Sequence, residues 1–346
     1  MAVEPVDPEV ARVALQRALE AGDAEPARES LRALSPDDAV ELLDDLPPPE
    51  LAAAAGLLGD EAIAELLDGA EPTAAARLIV RLGRDRAADV LEEMAPDHAV
   101  DLFEELEDDD AAAILIEMEP PEAGVLRDLM VYPPNSAGGR MTPDFAAVSV
   151  ELTVDAALAE LRRLAAEAET IYYVYTIDQD GRLVGVLSLR DLVLARPGTR
   201  VSDVMVRQPL RVRADADQEV AARLLADRGL LALPVVDEGE RLLGIITADD
   251  ATDILRQEAG EDIEQLGGAR PLEEPYATAS PLTLARKRVG WLLLLFVAEA
   301  YTGTVLRAFE GELQAVVALT FFSPLLIGTG GNTGSQTVTT VIRAMA

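Results

Sequence analysis

A twelve-residue period runs through the first third of the chain and limits what that part can fold into. The segment PDDAVELLDDL at Pro36 returns sixty residues later as PDHAVDLFEEL at Pro96. Stepping by twelve, Leu46, Leu58, Ala70, Leu82, Met94, Leu106, Met118 and Met130 are all apolar. So are Leu42, Ala54, Leu66, Leu78, Val90, Leu102, Ile114 and Leu126. Ten residues before the first set come Pro36, Pro48, Pro72, Pro96 and Pro120, interspersed with Asp60, Arg84 and Asp108. Proline at the first turn of a helix removes an N–H that has no partner there, and acids beside it suit the positive end of the helix dipole. Each unit therefore reads as a helix of two to three turns plus a tight link, and the prolines exclude one long helix. One such helix cannot bury its apolar side alone, so neighbours must stack into an α-solenoid, here over residues 1–135.

The charge is lopsided, with 63 acidic against 29 basic residues and a net of −34. Such a surface attracts cations and repels nucleic acid, so no nucleic-acid partner is expected. With no cysteine and one histidine, His98, thiolate chemistry and an imidazole-rich metal centre are excluded. No His, Cys or Ser constellation offers a nucleophile, so the chain does not read as an enzyme. His98, beside Asp97, is expected at the surface or as a helix cap.

From Arg286 onward the acids are Glu299, Glu310 and Glu312 only, while residues 1–285 hold 60 acids and 24 bases. Val289–Leu306 is 18 residues with one charge, Glu299, and spans about 27 Å as a helix. It is expected as a first transmembrane helix (289–306), with 313–345 as a second. Arg286, Lys287 and Arg288 before the first span and Arg343 near the end of the second put the N-terminal body in the cytoplasm. Trp291 fits an interfacial anchor. The N-terminus has no basic or long apolar run, so no signal peptide is expected.

Residues 140–258 contain a second duplication. YVYTIDQDGRLVGVLSLRDL (173–192) matches LPVVDEGERLLGIITADDA (233–251). Asp178, Arg182, Gly185, Ser188 and Asp191 align with Asp237, Arg241, Gly244, Thr247 and Asp250. Each half reads as an amphipathic helix (154–168; 218–229), a strand, a turn at Asp180-Gly181 or Glu238-Gly239, a second strand and a second helix. Met141 and Met205 lie in the lead-in of each half. The duplicated pattern resembles a tandem pair of CBS domains, at 140–200 and 201–258. That resemblance implies that Ser188 with Asp191, and Thr247 with Asp250, can hold the ribose of an adenine nucleotide such as ATP. As residues, Ser188 and Thr247 also read simply as helix N-caps.

The order of helical acidic repeat, CBS pair, acidic helix and membrane spans resembles the MgtE family of magnesium transporters. The chain thus reads as multidomain: α-solenoid, α/β tandem CBS pair and α-helical transmembrane segment. The segment PLLIGTGGNTGSQTVTT (324–340) is similar to the family's second membrane helix. Its glycines at 328, 330, 331 and 334 are expected to weaken the helix locally, and irregular backbone at membrane depth is tolerated where it lines a water-filled path. Asn332 and Gln336 share a face whose oxygens suit a hydrated hard cation. Gly330 and Gly334 equally suit close helix packing. The resemblance makes Gly330, Gly331, Asn332 and Gln336 pore-lining.

The resemblance also implies a connecting plug helix (248–285) and regulatory Mg2+ ligands at Asp97 and Asp101 of the solenoid. Further ligands fall at Asp217, Glu219, Asp250, Asp253, Glu258, Glu261 and Asp262. One departure is Gly229, where the family can show another acid. The implied function is a Mg2+-gated magnesium or divalent-cation transporter, homodimeric and multi-pass in the inner cell membrane, whose acidic cytosolic domains close the pore when Mg2+ is high. Shifting a gate from 1% to 99% closed takes about 5.5 kcal/mol, and one ion at ten times its dissociation constant gives about 1.4 kcal/mol. Several ions are therefore required. The family's five helices and its pore aspartate in the last helix do not fit within 346 residues, which leaves two expectations: a portion of a transporter, or a short form that does not conduct. The competing reading is a membrane-anchored CBS sensor that binds an adenine nucleotide and transports nothing.

Overall fold

The computed structural model describes residues 7–165, 168–266, 280–316 and 318–345. They fall into two units, Met1–Ala259 and Gly260–Ala346.

The first unit opens with α1 (Pro8–Ala21) and α2 (Ala24–Arg32). Eight helices follow whose first residues recur every twelve positions: α3 (Pro36–Asp44), α4 (Pro48–Leu58), α5 (Asp60–Asp68), α6 (Pro72–Leu82), α7 (Arg84–Glu92), α8 (Pro96–Glu105), α9 (Asp108–Glu117) and α10 (Pro120–Leu129). Proline opens α3, α4, α6, α8 and α10. Before α5 and α7 the link is instead made by Gly59 and Gly83, with φ of +84° and +86°, a conformation that a β-carbon would oppose. The helices stack on their second neighbours, α5 on α7, α6 on α8, α7 on α9 and α8 on α10. That spacing brings Leu42, Ala54, Leu78, Val90, Leu102, Ile114 and Leu126 into one continuous core. Met130 departs from the pattern at 40% exposed, because no further repeat follows α10 to cover it.

The rest of this unit repeats one motif. Its first copy is β1 (Phe145–Ser149), α11 (Val154–Leu164), β2 (Thr170–Ile177), β3 (Leu183–Ser188) and α12 (Leu189–Leu194). After α13 (Val201–Val204) and β4 (Val206–Arg207) the second copy is β5 (Val212–Arg213), α14 (Gln218–Arg228), β6 (Ala232–Val236), β7 (Leu242–Thr247) and α15 (Ala248–Leu266). The helix expected over 154–168 is shorter, since it ends at Leu164 and Ala165 closes it. Both sheets share one pattern: β1 runs parallel to β2 and β5 to β6, while β2–β3 and β6–β7 are antiparallel hairpins. The β-branched and aromatic run TIYYVYTI forms β2, as such residues pack well on a pleated surface.

The lead-ins cross over. β4, at the start of the second copy, pairs with β3 of the first. Thr142, at the start of the first, exchanges backbone hydrogen bonds of 2.9 Å with Ile245 on β7 of the second. Glycine is required at both crossings. A β-carbon on Gly185 would sit 2.6 Å from Met205 Sδ, and one on Gly244 would sit 2.7 Å from the Thr142 carbonyl and 2.9 Å from Met141 Sδ.

The second unit contains the last residues of α15, then α16 (Pro281–Ala308), α17 (Glu310–Ala315) and α18 (Ala318–Met345). Part of the expected connecting helix, 267–279, lies outside the described residues. Among the described residues, α16 is the one helix long and apolar enough to cross a membrane. α18 has 28 residues, about 42 Å of helix. It stays helical through Gly328, Gly330, Gly331 and Gly334. The hydroxyls of Thr337, Thr339 and Thr340 donate to carbonyls one turn back, a habit of helices in apolar surroundings.

Candidate functional site

The first turn of α8 brings chemistry to the junction between the solenoid and the CBS pair. Asp97 and Asp101 are four residues apart and so share a face. Asp97 is 8% exposed, and its Oδ1 is buried with no hydrogen-bond partner. Burial pushes its carboxyl up to about 7, with Asp250 adding to the rise and His98 opposing it. His98, expected at the surface or as a cap, keeps a side chain that is 37% exposed but sits between two carboxylates of other elements. Its Nδ1 lies 3.3 Å from Asp68 Oδ1, at the end of α5, and its Nε2 lies 3.6 Å from Asp250 Oδ1. Burial opposes a charged imidazole, but Asp250 and Asp68 overcome it and hold His98 up at about 11.

Asp250 sits in the first turn of α15, where its Oδ2 accepts from the backbone N–H of Thr247 at 3.1 Å and from the Thr247 hydroxyl. Burial disfavours its ionisation, yet the bonds from His98 and Thr247 win and hold it below the usual carboxylate range. Asp97, His98 and Asp250 each offer a ligand atom, all within 4.8 Å of one another. No other such group of three occurs among the described residues searched for metal-binding clusters.

Beside this cluster stands a cation that sequence reasoning missed. The Arg140 guanidinium donates to Asp101 Oδ2 at 2.5 Å, to Gln218 Oε1 at 2.9 Å and to Gln257 Oε1 at 3.4 Å. Gln218 is wholly buried and passes the network on, donating to Glu258 Oε1 at 2.6 Å. One arginine thus ties α8, α14 and α15 together. Burial lifts the Asp101 carboxyl, against the pull of Arg140 and His98.

The remaining sequence-derived acids are dispersed. Asp217 caps α14 by accepting from the Glu219 N–H, Glu219 pairs with Arg223, and Asp253 pairs with Arg256. Asp253 also raises the carboxyl of Glu71 on the solenoid, after burial and Asp37. Glu261 and Asp262 belong to the second unit. Ser188 and Asp191 form a capping box at α12, and Thr247 and Asp250 repeat that bond at α15. Ser188 thus does serve as an N-cap, while at α15 it is Asp250 that accepts from the Thr247 N–H. In the second unit, Asn332 and Gln336 lie one turn apart on α18.

Fold and junction define an acidic helical-repeat domain coupled to a tandem CBS pair. The MgtE intracellular N domain family matches residues 34–135, and the CBS domain family matches residues 137–198 and 201–257. The magnesium transporter MgtE of Thermus thermophilus is 50% identical over 215 residues, which is 62% of this chain and 48% of that protein. That of Bacillus subtilis is 38% identical over 225 residues, 65% of this chain and 49% of that protein. The chain spans about half the length of the curated relatives it matches. Both of these relatives are magnesium transporters by name. The crystal structure of the soluble part of a magnesium transporter aligns with a TM-score of 0.65 at 32% identity, covering 73% of this chain and all of that one. The cytosolic domain of the Mg2+ channel MgtE in complex with ATP aligns at 0.63 and 40% identity, covering 70% of this chain and 99% of that one. The chain belongs to the MgtE family.

Proposed function

We propose that this chain is the sensing part, with the first membrane helices, of a Mg2+ transporter or channel in the cell membrane, and that cytosolic Mg2+ docks its acidic domains to shut the pore. One observation carries this reading: carboxylates of the solenoid face carboxylates of α15, Asp97 with a ligand atom within 4.8 Å of Asp250 and Glu71 raised by Asp253. Two carboxylates 8 Å apart repel by about 2 kcal/mol at an effective dielectric of 20. Divalent ions, held through one or two direct carboxylates and water, relieve that repulsion. Asp97, Asp101 and Asp250 form the primary sensing group, and Asp217, Glu219, Asp253, Glu258, Glu261 and Asp262 add weaker, outer ion contacts. Gly330, Gly331, Asn332 and Gln336 line the conduction path. The working unit is a homodimer that crosses the membrane several times.

The CBS pair also takes an adenine nucleotide at Ser188, Asp191, Thr247 and Asp250, as supported by the relative solved with ATP. Since Asp250 serves both ligands in this reading, nucleotide and Mg2+ binding are coupled.

Limited proteolysis of the purified chain between residues 130 and 270 tests the gate. Millimolar Mg2+ slows cleavage several-fold, while Asp97→Asn slows it already in EDTA and blunts the Mg2+ response. Equal cleavage rates with and without Mg2+ rule the gate out.

A further inference from the structure

We infer that Asp97, His98 and Asp250, backed by Asp68, form a binding site for a borderline transition-metal dication such as Zn2+ or Co2+. This inference rests on the reading that Asp97 and Asp250 take a divalent cation, and adds the identity of the ion. Three observations carry it. First, the three donor atoms lie within 4.8 Å of one another on α8 and α15, a set of one nitrogen and two oxygens. Magnesium strongly prefers oxygen, whereas imidazole suits zinc, cobalt and nickel. Second, Asp68 Oδ1 stands 3.3 Å from His98 Nδ1, on the side away from Asp250. A carboxylate behind the far ring nitrogen fixes tautomer and ring orientation in metal-ligating histidines. Third, Asp97 Oδ1 is buried and without a hydrogen-bond partner, whereas a carboxylate serving only the core would be satisfied by a donor.

The charges agree. Neutral imidazole and two carboxylates around a dication make an uncharged centre, and binding releases the Nε2 proton to solvent. Water completes the shell, as in three-ligand zinc sites. His98 makes the junction selective: a transition metal docks α8 on α15 at lower concentration than Mg2+ does.

The test is a Co2+ titration of the full chain in detergent, read by visible absorption, with Zn2+ as competitor and proteolysis as the docking readout. One Co2+ per chain gives the intense bands of a low-coordinate, nitrogen-ligated ion, and Zn2+ removes them. His98→Gln abolishes these bands and moves the Co2+ midpoint for protease protection at least tenfold more than the Mg2+ midpoint. Asp68→Asn leaves all three ligands in place and weakens Co2+ about 10–100-fold, which answers the question should His98→Gln fail to fold. Weak bands typical of six oxygen ligands, or a Co2+ midpoint unmoved in both variants, overturn the site. Absence of Mg2+ protection would sink the gate instead, and leaves the cobalt spectrum to decide this site.

Discussion

Replacing Arg140 by Gln removes the cation that links α8, α14 and α15. Its side chain is 17% exposed and that of its partner Asp101 is 21% exposed, so the pair is about four-fifths buried. Breaking a fully buried pair from one side costs about 3–5 kcal/mol, and a hydrogen bond to a charged group is worth about 1.5–3 kcal/mol. The residual exposure, and the freedom of Asp101 to take up a proton, bring the expected loss to about 2 kcal/mol. That corresponds to roughly thirtyfold in the docking equilibrium, at about 1.4 kcal/mol per tenfold. Where opening is fast relative to cleavage, proteolysis follows the open population. Arg140→Gln is therefore cleaved near the 130–145 link about thirty times faster than the parent in EDTA, with much of the difference closed by Mg2+. Lysine at 140 recovers part of the effect, since it restores the charge without the planar fork. Asp101→Asn on top of Arg140→Gln adds little further loss, because the amide needs no countercharge. Cleavage of Arg140→Gln within threefold of the parent, or strictly additive losses in the double variant, would refute the argument.

Raising pH weakens the junction. The folded-state value of His98, about 11, lies above its ordinary one. Its contribution is thus complete below about 6.5 and lost as pH rises through 11; melting curves of the parent and His98→Gln converge as pH approaches that value. The high value for Asp97 acts in the same direction between about pH 4 and 7, so stability falls with pH there too, and Asp97→Asn flattens that slope. Gly244→Ala is the more damaging of two equivalent changes, because its β-carbon meets the Thr142 backbone where that of Gly185 meets side chains. Urea unfolding should lose about 1–3 kcal/mol, with Gly185→Ala toward the lower end. Equal losses would mean that the crossing is not rigid.

The repeats were legible because their signals are local. Pro36, Pro48, Pro72, Pro96 and Pro120 mark helix starts on their own, and Leu42 through Leu126 mark the buried face. The CBS duplication was legible because both copies keep the same Gly, hydroxyl and Asp spacing. The junction was not. Asp68, His98, Arg140, Gln218 and Asp250 meet only after the solenoid has stacked and the CBS pair has closed, so His98 read as a solvent-facing neighbour of Asp97. A lone histidine and an isolated arginine between two acidic domains were the available signals.

Because each lead-in seats on the opposite copy, the duplication is a clasp rather than two beads on a string. A chain cut near residue 200 would leave β3 without its β4 edge and β7 without Thr142. Each fragment would then present bare strand edge, a template for pairing with other chains. Expression of either half alone should give aggregates, whereas co-expressed halves should find each other and reassemble.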